Sequence, residues 1–377
     1  MSFSLKQETV NVPGKILFFG GYSVLETGHV ALSLAVVDEK GHGVTAQVRK
    51  HDSDTLVAEQ FNIRQEIASP DLVKKNVAMS AFFLTKMYLR AKGASSRHLV
   101  SLTNSPIFGI EHKSGLGSSA AAPVAVVKAI FSAEGLDTYA HTETIHKLAQ
   151  YSSAAFTGKT GSGFDIATCS VGHSIIYNRF NPASIALPES FSAATDAPAK
   201  LLASIEKPWP DLVVRPVTLP AKYGILFFNI EGGKTSTVSN VRRVAEWKGH
   251  HPSEYGELMS NQNEYETEGI RMLLERNDDG VRRFTNSTRE LHRKLQAEVV
   301  KSSEGLDPIE PEPLTHLIDF AEGLEGIVAG RCPGAGGWDG VAFITDRDRF
   351  DEKGIGQIAA KGREYGLTLT HIPLRLL

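Results

Sequence analysis

Apolar residues recur along this chain with two spacings, one typical of strands and one typical of helices. Strand-like runs in the first half break at glycine pairs or polar connectors, and helical stretches lie between them. The strands predicted for this half are 16–19, 31–37 and 98–103, and the predicted helices are 72–92, 119–133 and 142–156. The order of the elements predicts a sheet that begins immediately and is covered by helices.

The second half has the same mixture, after a stretch at 181–220 that is rich in Pro, Ala and Ser. Its predicted strands are 223–230, 326–331, 341–345 and 367–372, and its predicted helices are 235–247, 254–276, 280–301 and 313–322. At 377 residues the chain exceeds the size at which one core stops growing. We therefore expect an α+β protein with an N-terminal domain at 1–185, a Pro-rich connection at 186–222 and a C-terminal domain at 223–377.

Charge and cysteine content narrow the classes of function. The 40 basic and 43 acidic residues give a net charge of −3, and the basic residues are scattered. This distribution argues against nucleic acid or a membrane as a partner and favours a small-molecule substrate. Two cysteines without metal-ligand spacing and the lack of a long apolar segment predict a reduced, cytoplasmic protein. The sequence leaves open whether the protein is a monomer or a homodimer.

The segment 115–120, Gly-Leu-Gly-Ser-Ser-Ala, runs directly into an apolar stretch and is the most informative part of the sequence. Glycines without a β-carbon let backbone amides converge on an anion, and a helix N-terminus adds unpaired N–H groups and a positive dipole. Ser118 and Ser119 are suited to cap that helix. The segment predicts a phosphate site, the alternative being a capped buried helix after a tight turn.

The sequence partly matches two other nucleotide-binding motifs, the Walker A loop and the dinucleotide fingerprint, but fulfils neither. Gly-Lys-Thr at 158–160 and 233–235 lacks the first glycine of a Walker A loop, since Ser153 and Phe228 occupy that position. The 115–120 segment also fits the alanine form of the dinucleotide fingerprint, but the preceding residues 110–114 are polar instead of forming a buried strand. Neither a P-loop NTPase nor a dehydrogenase is therefore favoured.

Four segments occur in an order that resembles the GHMP kinase superfamily, and within it the phosphomevalonate kinases of the fungal and plant type. They are the Pro-Gly-Lys to Gly-Gly-Tyr segment at 13–22, the glycine loop at 115–120, Gly-Ser-Gly-Phe-Asp at 161–165 and Pro-Gly-Ala-Gly-Gly at 333–337. The resemblance implies an N-terminal ribosomal-S5-like α/β domain and a C-terminal ferredoxin-like domain. It also implies transfer of the γ-phosphoryl group of ATP to 5-phosphomevalonate, with Mg²⁺.

The resemblance implies two catalytic residues. Lys15 would lie between the γ-phosphate and the acceptor, where a cation neutralises the migrating group. Asp165 would contact the reacting centre, and since a phosphate acceptor is already ionised, we expect it to orient groups more than to remove a proton. Their alternative roles are a solvated strand-end lysine and a helix cap.

The remaining implied contacts fall into two groups. The ATP-binding residues are Lys113, Gly115, Leu116, Gly117, Ser118, Ser119, Ala120, Gly334, Ala335 and Gly336, and the Ser119 hydroxyl would also bind Mg²⁺. The acceptor-binding residues are Tyr22, Ser23, Ser162, Gly163, Lys234 and Ser236. Lys113 and Lys234 also suit ordinary surface positions, Ser236 suits a helix cap, and the 334–337 stretch suits a flexible connector.

The choice of acceptor is the least constrained part of the interpretation. Mevalonate kinases usually carry Glu-His where this chain has Gly21 and Tyr22, which favours a phosphorylated acceptor. Another superfamily kinase acting on mevalonate, a sugar or homoserine is the alternative. A non-catalytic ligand sensor on the same fold is a further one, and the presence of both Lys15 and Asp165 argues against it.

Overall fold

The computed structural model of the chain describes residues 7–108, 115–192, 195–233, 235–302 and 307–377. Its strands are β1 (Glu8–Val12), β2 (Gly14–Phe19), β3 (Val30–Val37), β4 (Val44–Lys50), β5 (Thr55–Ala58), β6 (Ile63–Glu66), β7 (His98–Asn104), β8 (Ile175–Asn178), β9 (Val213–Pro216), β10 (Tyr223–Ile230), β11 (Ile327–Arg331), β12 (Gly340–Asp346), β13 (Leu369–Ile372) and β14 (Arg375–Leu376). Its helices are α1 (Val77–Ala91), α2 (Ser118–Ala133), α3 (Thr142–Thr157), α4 (Phe164–Val171), α5 (Ala197–Glu206), α6 (Thr237–His250), α7 (Pro252–Leu274), α8 (Asp278–Ser302), α9 (Glu312–Glu322) and α10 (Lys353–Glu364).

Two sheets form the N-terminal half. One has the strand order β1-β4-β7-β5-β6, and the other joins β2, β3, β8, β9 and β14. Helices α1, α2 and α3 pack on one another, and α2 also packs on β1, β4 and β7. The α2 residues Val124 to Val127 are fully buried, which explains why the apolar run after the glycine loop has no polar face.

A four-stranded antiparallel sheet with the order β11-β12-β10-β13 forms the centre of the C-terminal half. Helices α7 and α8 pack against each other, and α8 also packs on β11. Val281, Leu295 and Val299 on the predicted apolar face of α8 are completely buried. In the part of the chain that the structure describes, no helix combines the length and apolarity needed to cross a bilayer.

The structure confirms the α+β class and most of the predicted elements. The helix after the glycine loop begins at Ser118, and its N-cap is Gly117 in a left-handed conformation, so the prediction that Ser118 and Ser119 cap it is wrong. Helices α4, α5 and α10 and the short strands β5, β6, β8, β9 and β14 were not predicted.

The predicted connection at 186–222 contains regular structure. Helix α5 lies within it, and β9 pairs with β8 of the N-terminal half. At the end of the chain β14 pairs with β3, on the edge of β3 that also pairs with β8. The chain thus returns to the N-terminal sheet after completing the C-terminal one, and the predicted domain limits stay a prediction.

Candidate functional site

Lys15 lies against the glycine loop, although the two are separated by a hundred residues in the chain. Its backbone N–H donates to the carbonyl of Leu116 at 2.8 Å, and its Nζ donates to the carbonyl of Gly115 at 2.9 Å. The side chain is half-buried and its Nζ stands 5.6 Å from the centre of the Phe164 ring. Strand β2 therefore fixes a cation at the mouth of the loop.

Gly117 fills a position that no other residue fits well. Its φ is +88°, and a β-carbon there would approach Cε and Cγ of Lys15 to 2.9 and 3.0 Å. Gly115 also has a positive φ, of +71°. The two glycines let the backbone turn tightly and leave room for the lysine stem against the loop, at the N-terminus of α2.

The predicted hydroxyl contacts lie at the start of α2. Ser118 is half-buried and Ser119 is exposed, at the first and second positions of the helix. Leu116 and Ala120 are buried in the hydrophobic core and so anchor the loop to it. Pro123 lies inside α2 and has no N–H, so the carbonyl of Ser119 lacks its helical partner.

Asp165 is the second residue of α4, as expected for a side chain at the start of an element. Gly163, with φ +88°, is the N-cap, so Asp165 does not cap the helix, and its carboxylate accepts from the N–H of Ile166 at 2.9 Å. Burial raises the pKa of the Cys169 thiol, Asp165 raises it further, and Lys15 opposes them. Lys15 and Asp165 thus both influence one buried thiol, and the Lys15 ammonium also lies over the ring of Phe164, the residue before Asp165.

The loop that carries Asp165 is supported by buried groups behind it. The Tyr177 hydroxyl donates to the carbonyl of Ser162 at 2.5 Å. A β-carbon at Gly163 would come within 3.0 Å of the Tyr177 hydroxyl, the Gln150 amide oxygen and the Phe180 ring. Gly163 is therefore required for this close approach, and the half-buried Ser162 lies just before it.

The C-terminal glycine loop reaches across to the N-terminal half. The N–H of Gly334 donates to the carbonyl of Leu17 on β2 at 3.2 Å. Gly336 and Gly337 have positive φ angles, of 72° and 92°. The residues predicted to contact the nucleotide in this loop, Gly334, Ala335 and Gly336, thus lie beside the strand that carries Lys15.

Tyr22 and Ser23 are both buried in this structure. The Tyr22 hydroxyl donates to the carbonyl of Ala335 at 3.1 Å, and the Ser23 hydroxyl donates to the carbonyl of Gly20 at 2.7 Å. Burial raises the pKa of Tyr22, so its hydroxyl keeps its proton. The Ser23 hydroxyl is thus bonded within the turn that follows β2, and the Tyr22 hydroxyl is bonded to the C-terminal glycine loop.

Ser236 is the N-cap of α6 and accepts from the N–H of Ser239 at 3.2 Å, which confirms its predicted use as a helix cap. Its own N–H donates to Asp307 at 3.1 Å. Lys113 and Lys234, the two predicted phosphate-binding lysines, lie outside the described residues.

Asp339 and Thr235 belong to the same region but were not assigned a role from the sequence. A β-carbon at Gly115 would contact Cβ of Asp339 at 3.8 Å, so Asp339 joins the two glycine loops. Its carboxylate accepts from the N–H of Thr235 at 3.1 Å, and the Thr235 hydroxyl accepts from the N–H of Trp338 at 2.7 Å. The signal that could have found Asp339 is its place two residues after Gly337 in the fourth motif.

A separate cavity of about 420 Å³ lies in the C-terminal half and contains none of the predicted site residues. Its lining carries more carboxylates than cations, so it would repel a nucleotide's phosphates. The lining residues are Asp278, Asp279, Arg282, Glu322, Gly323, Leu324, Glu325, Gly326, Ile327, Val328, Asp346 and Arg349. The glycine loop and Lys15 remain the better candidate for an anion.

Comparison with known proteins identifies a matching family model and several relatives of this chain. Residues 82–173 match the GHMP kinases N terminal domain. The chain is 31% identical over 265 residues to phosphomevalonate kinase ERG8 of Gibberella zeae, an alignment that covers 68% of this chain and 56% of that protein. It is 28% identical to the phosphomevalonate kinase of Candida albicans, with 89% of this chain and 88% of that protein covered. The chain thus spans little more than half the length of the Gibberella relative.

A solved structure has the same fold. It is the phosphomevalonate kinase of Streptococcus pneumoniae in complex with phosphomevalonate and AMPPNP, with a TM-score of 0.75 and 17% sequence identity. The match covers 98% of this chain and 100% of that one. At this identity the likeness concerns the fold, which is that of the GHMP kinases.

Proposed function

We propose that this chain, which belongs to the GHMP kinase superfamily, is a phosphomevalonate kinase. It would transfer the γ-phosphoryl group of ATP to the phosphate of 5-phosphomevalonate, forming 5-diphosphomevalonate and ADP in the mevalonate route to isoprenoids and sterols. The observation that carries the proposal is the Lys15 ammonium at the mouth of the amide-lined loop at 115–117. The names of the curated relatives support the choice of acceptor.

Each group near the loop has a part in this reaction. The amides of 115–120 and the N-terminus of α2 would hold the β-phosphate, and the Gly334–Gly336 backbone would face the nucleotide from the other side. An oxygen of the acceptor phosphate forms the new bond to the γ-phosphorus while the bond to the β–γ bridging oxygen breaks. Lys15 would neutralise charge spread over the migrating group, and Asp165 would orient Lys15 or the acceptor.

The hydroxyl at the start of α2 fits a hard cation. Ser119 is exposed beside the phosphate loop, and oxygen donors suit Mg²⁺, which keeps several waters and binds phosphate oxygens. Within the described ranges no cluster of three or more His, Cys, Asp or Glu side chains could hold a metal ion. We propose that the Ser119 hydroxyl and phosphate oxygens of the nucleotide would bind Mg²⁺, which when bound would neutralise the β- and γ-phosphates.

The acceptor is proposed to lie between the Asp165 loop and the start of α6. Ser162, Gly163 and Ser236 would contact it there, and Lys234 would be the cation for its phosphate. We propose further that the protein acts in the cytoplasm, as a monomer or homodimer, on small-molecule substrates alone. Both cysteines are free and buried, in keeping with a reducing compartment.

A panel of acceptors tests the proposed function. The purified protein is incubated with ATP and Mg²⁺ and with 5-phosphomevalonate, mevalonate, galactose or homoserine, and release of ADP is measured. We expect kcat/KM for 5-phosphomevalonate to exceed every other value by at least about a hundredfold, because only this acceptor supplies an ionised phosphate nucleophile. Faster turnover of mevalonate than of its 5-phosphate would overturn the assignment.

A further inference from the structure

A buried polar cluster lies under the turn that follows β2, outside the residues assigned so far. It is built from three elements of the C-terminal half: Gln262 and Glu266 on α7, His292 on α8 and Arg331 at the end of β11. Each of these side chains is at most 3% exposed. Burial of this many polar groups is costly, so the contacts they make indicate what the cluster holds.

The cluster contacts the backbone of the turn at Gly20 and Gly21. The Gln262 amide donates to the carbonyl of Gly20 at 3.3 Å. Burial raises the pKa of the Glu266 carboxyl, and the backbone N–H of Gly20 helps to lower it. The Gln262 amide also lies 2.8 Å from Nε2 of His292. A β-carbon at Gly21 would come within 2.3 Å of that nitrogen, so the turn lies directly on the imidazole.

The charges within the cluster agree with these contacts. Burial, reinforced by Arg331, lowers the pKa of His292 well below its ordinary value, so Nε2 can accept a hydrogen bond from Gln262. Burial raises the pKa of Glu266, and the guanidinium of Arg331, 3.4 Å away, opposes that rise. The Arg331 guanidinium also lies within 6.0 Å of the ring centres of Phe18 and Phe19. Arg331 therefore packs against the C-terminal end of β2, and Lys15 lies at the other end of this strand.

Tyr22 connects this fixed turn to the C-terminal glycine loop. Its ring packs edge-on against His292 with the centres 5.9 Å apart, and its hydroxyl donates to Ala335 at 3.1 Å. The loop is held on its other side by the bond from Gly334 to Leu17. The loop follows β11, which ends at Arg331 of the cluster. The cluster therefore contacts the loop's neighbours twice, through Arg331 in the chain and through the ring of Tyr22.

We propose that Tyr22 is a positioning residue that sets the loop at 333–337 for the nucleotide, and that Gln262, Glu266, His292 and Arg331 hold Tyr22 in place. The proposal rests on the proposed function in that the loop faces ATP. In this proposal Tyr22 lies on the nucleotide side of the site, where its hydroxyl is bonded to the loop. Tyr22 then does not need to contact the acceptor, the role that the family resemblance implied for it.

Tyr22→Phe tests the proposal because it removes only the hydroxyl that reaches Ala335. The hydroxyl also bonds to Asn240 of α6, which is not part of the loop. We expect the dissociation constant for AMPPNP, measured by calorimetry, to rise about fivefold, as for the loss of one buried hydrogen bond that positions the loop. The dissociation constant for 5-phosphomevalonate should stay within twofold of the wild-type value. Amide hydrogen exchange at 334–337 should become faster, which reports on the loop without any ligand.

Tyr151→Phe is the matched control. The Tyr151 hydroxyl is also buried and donates to a backbone carbonyl, that of Ala186, at 3.0 Å. This variant should lose a similar amount of stability with unchanged AMPPNP affinity and unchanged exchange at 334–337. Gln262→Leu removes the grip on Gly20 while keeping Tyr22, and it should shift AMPPNP affinity and loop exchange in the same direction as Tyr22→Phe.

The outcomes separate the two proposals. Weaker acceptor binding with normal AMPPNP binding in Tyr22→Phe would overturn the positioning role and assign Tyr22 to the acceptor. Unchanged exchange at 334–337 would overturn it as well. A wild-type protein that binds no AMPPNP would refute the proposed function, and the exchange data would still decide whether Tyr22 holds the loop.

Discussion

Lys15 is the residue on which the proposed chemistry depends most directly. Its ammonium is held 2.9 Å from the carbonyl of Gly115, beside amides that suit a phosphate. Lys15→Met keeps the length of the side chain and removes the charge. We expect kcat to fall by about 10²- to 10³-fold with a change in the KM for ATP of less than about tenfold, because a cation at the migrating group acts mainly in the transition state.

Lys147→Met provides the control for this substitution in the same steady-state assay. Lys147 is buried and, like Lys15, donates to a backbone carbonyl, that of Lys207, at 2.7 Å, but it lies on α3 away from the glycine loop. Its replacement should lower the melting temperature without lowering kcat per folded molecule. Unchanged turnover in Lys15→Met would exclude that lysine from the reaction.

The sequence predicted the candidate site best at the scale of single residues. Glycine marks positions where a β-carbon cannot be accommodated, and Gly115, Gly117 and Gly163 all adopt positive φ angles in the predicted loops. The roles of Tyr22 and Asp339 could not be predicted in this way. Their partners, Ala335 and Gly115, lie more than two hundred residues away in the chain, and no local spacing encodes such contacts.

At the scale of elements, the junction between the glycine loop and α2 makes a prediction about Gly117. Gly117→Ala adds a β-carbon at φ +88° that also meets the Lys15 stem at 2.9 Å. The conformational strain alone costs about 1 to 2 kcal/mol. Displacement of Lys15 adds a second effect, and we expect turnover to fall at least about thirtyfold, measured per folded molecule.

Gly135→Ala separates the two effects. Gly135 has a comparable φ of +75° after the end of α2, but nothing lies within 4 Å of its β-carbon position. Both variants should lose a similar amount of free energy of unfolding in urea, whereas only Gly117→Ala should lose activity. Equal activity losses in the two variants would mean that the position of Lys15 against the loop does not matter.

The elements themselves were predicted well where their pattern was local and less well where pairing was distant. The apolar runs that became β2, β3, β10 and α8 are long or strongly periodic, so they stand out from sequence alone. Strands β9 and β14 are short, and β14 is paired to a strand more than three hundred residues earlier. Helix α5 lies in a Pro-rich stretch, and its proline falls in the first turn, where it is tolerated.

At the scale of the whole molecule, contacts between distant parts of the chain join the N-terminal and C-terminal halves. Strand β14 completes the sheet that contains β2, and Glu26, just after the first motif, pairs with Lys248 of α6 at 2.8 Å. Burial would raise the pKa of Glu26, but hydrogen bonds from Lys248 and Tyr255 lower it on balance. The two halves thus meet through β2 and the turn after it, the region that also carries Lys15.

Stability of the whole molecule should fall with acid before the carboxylates titrate, because it buries neutral histidines. Burial, with Lys147 beside it, lowers the pKa of His146 from 6.5 to about 3. Below pH 6.5 the unfolded chain binds a proton that the folded chain does not, so the free energy of unfolding falls by up to about 1.4 kcal/mol per pH unit. The loss should begin near pH 6.5 and continue until the pH reaches about 3.

His146→Phe tests this source of acid sensitivity through urea unfolding at pH 8, 6 and 5. Phe keeps an aromatic ring against Trp209, whose ring centre is 5.8 Å from that of His146, and among the residues that the structure describes Nε2 of His146 has no hydrogen-bond partner to lose. The variant should lose less stability than the wild type between pH 8 and pH 5, whereas His250→Gln, at an exposed position of α6, should lose the same amount as the wild type. Parallel curves for His146→Phe and the wild type would show that His146 takes up its proton in the folded state as readily as in the unfolded chain.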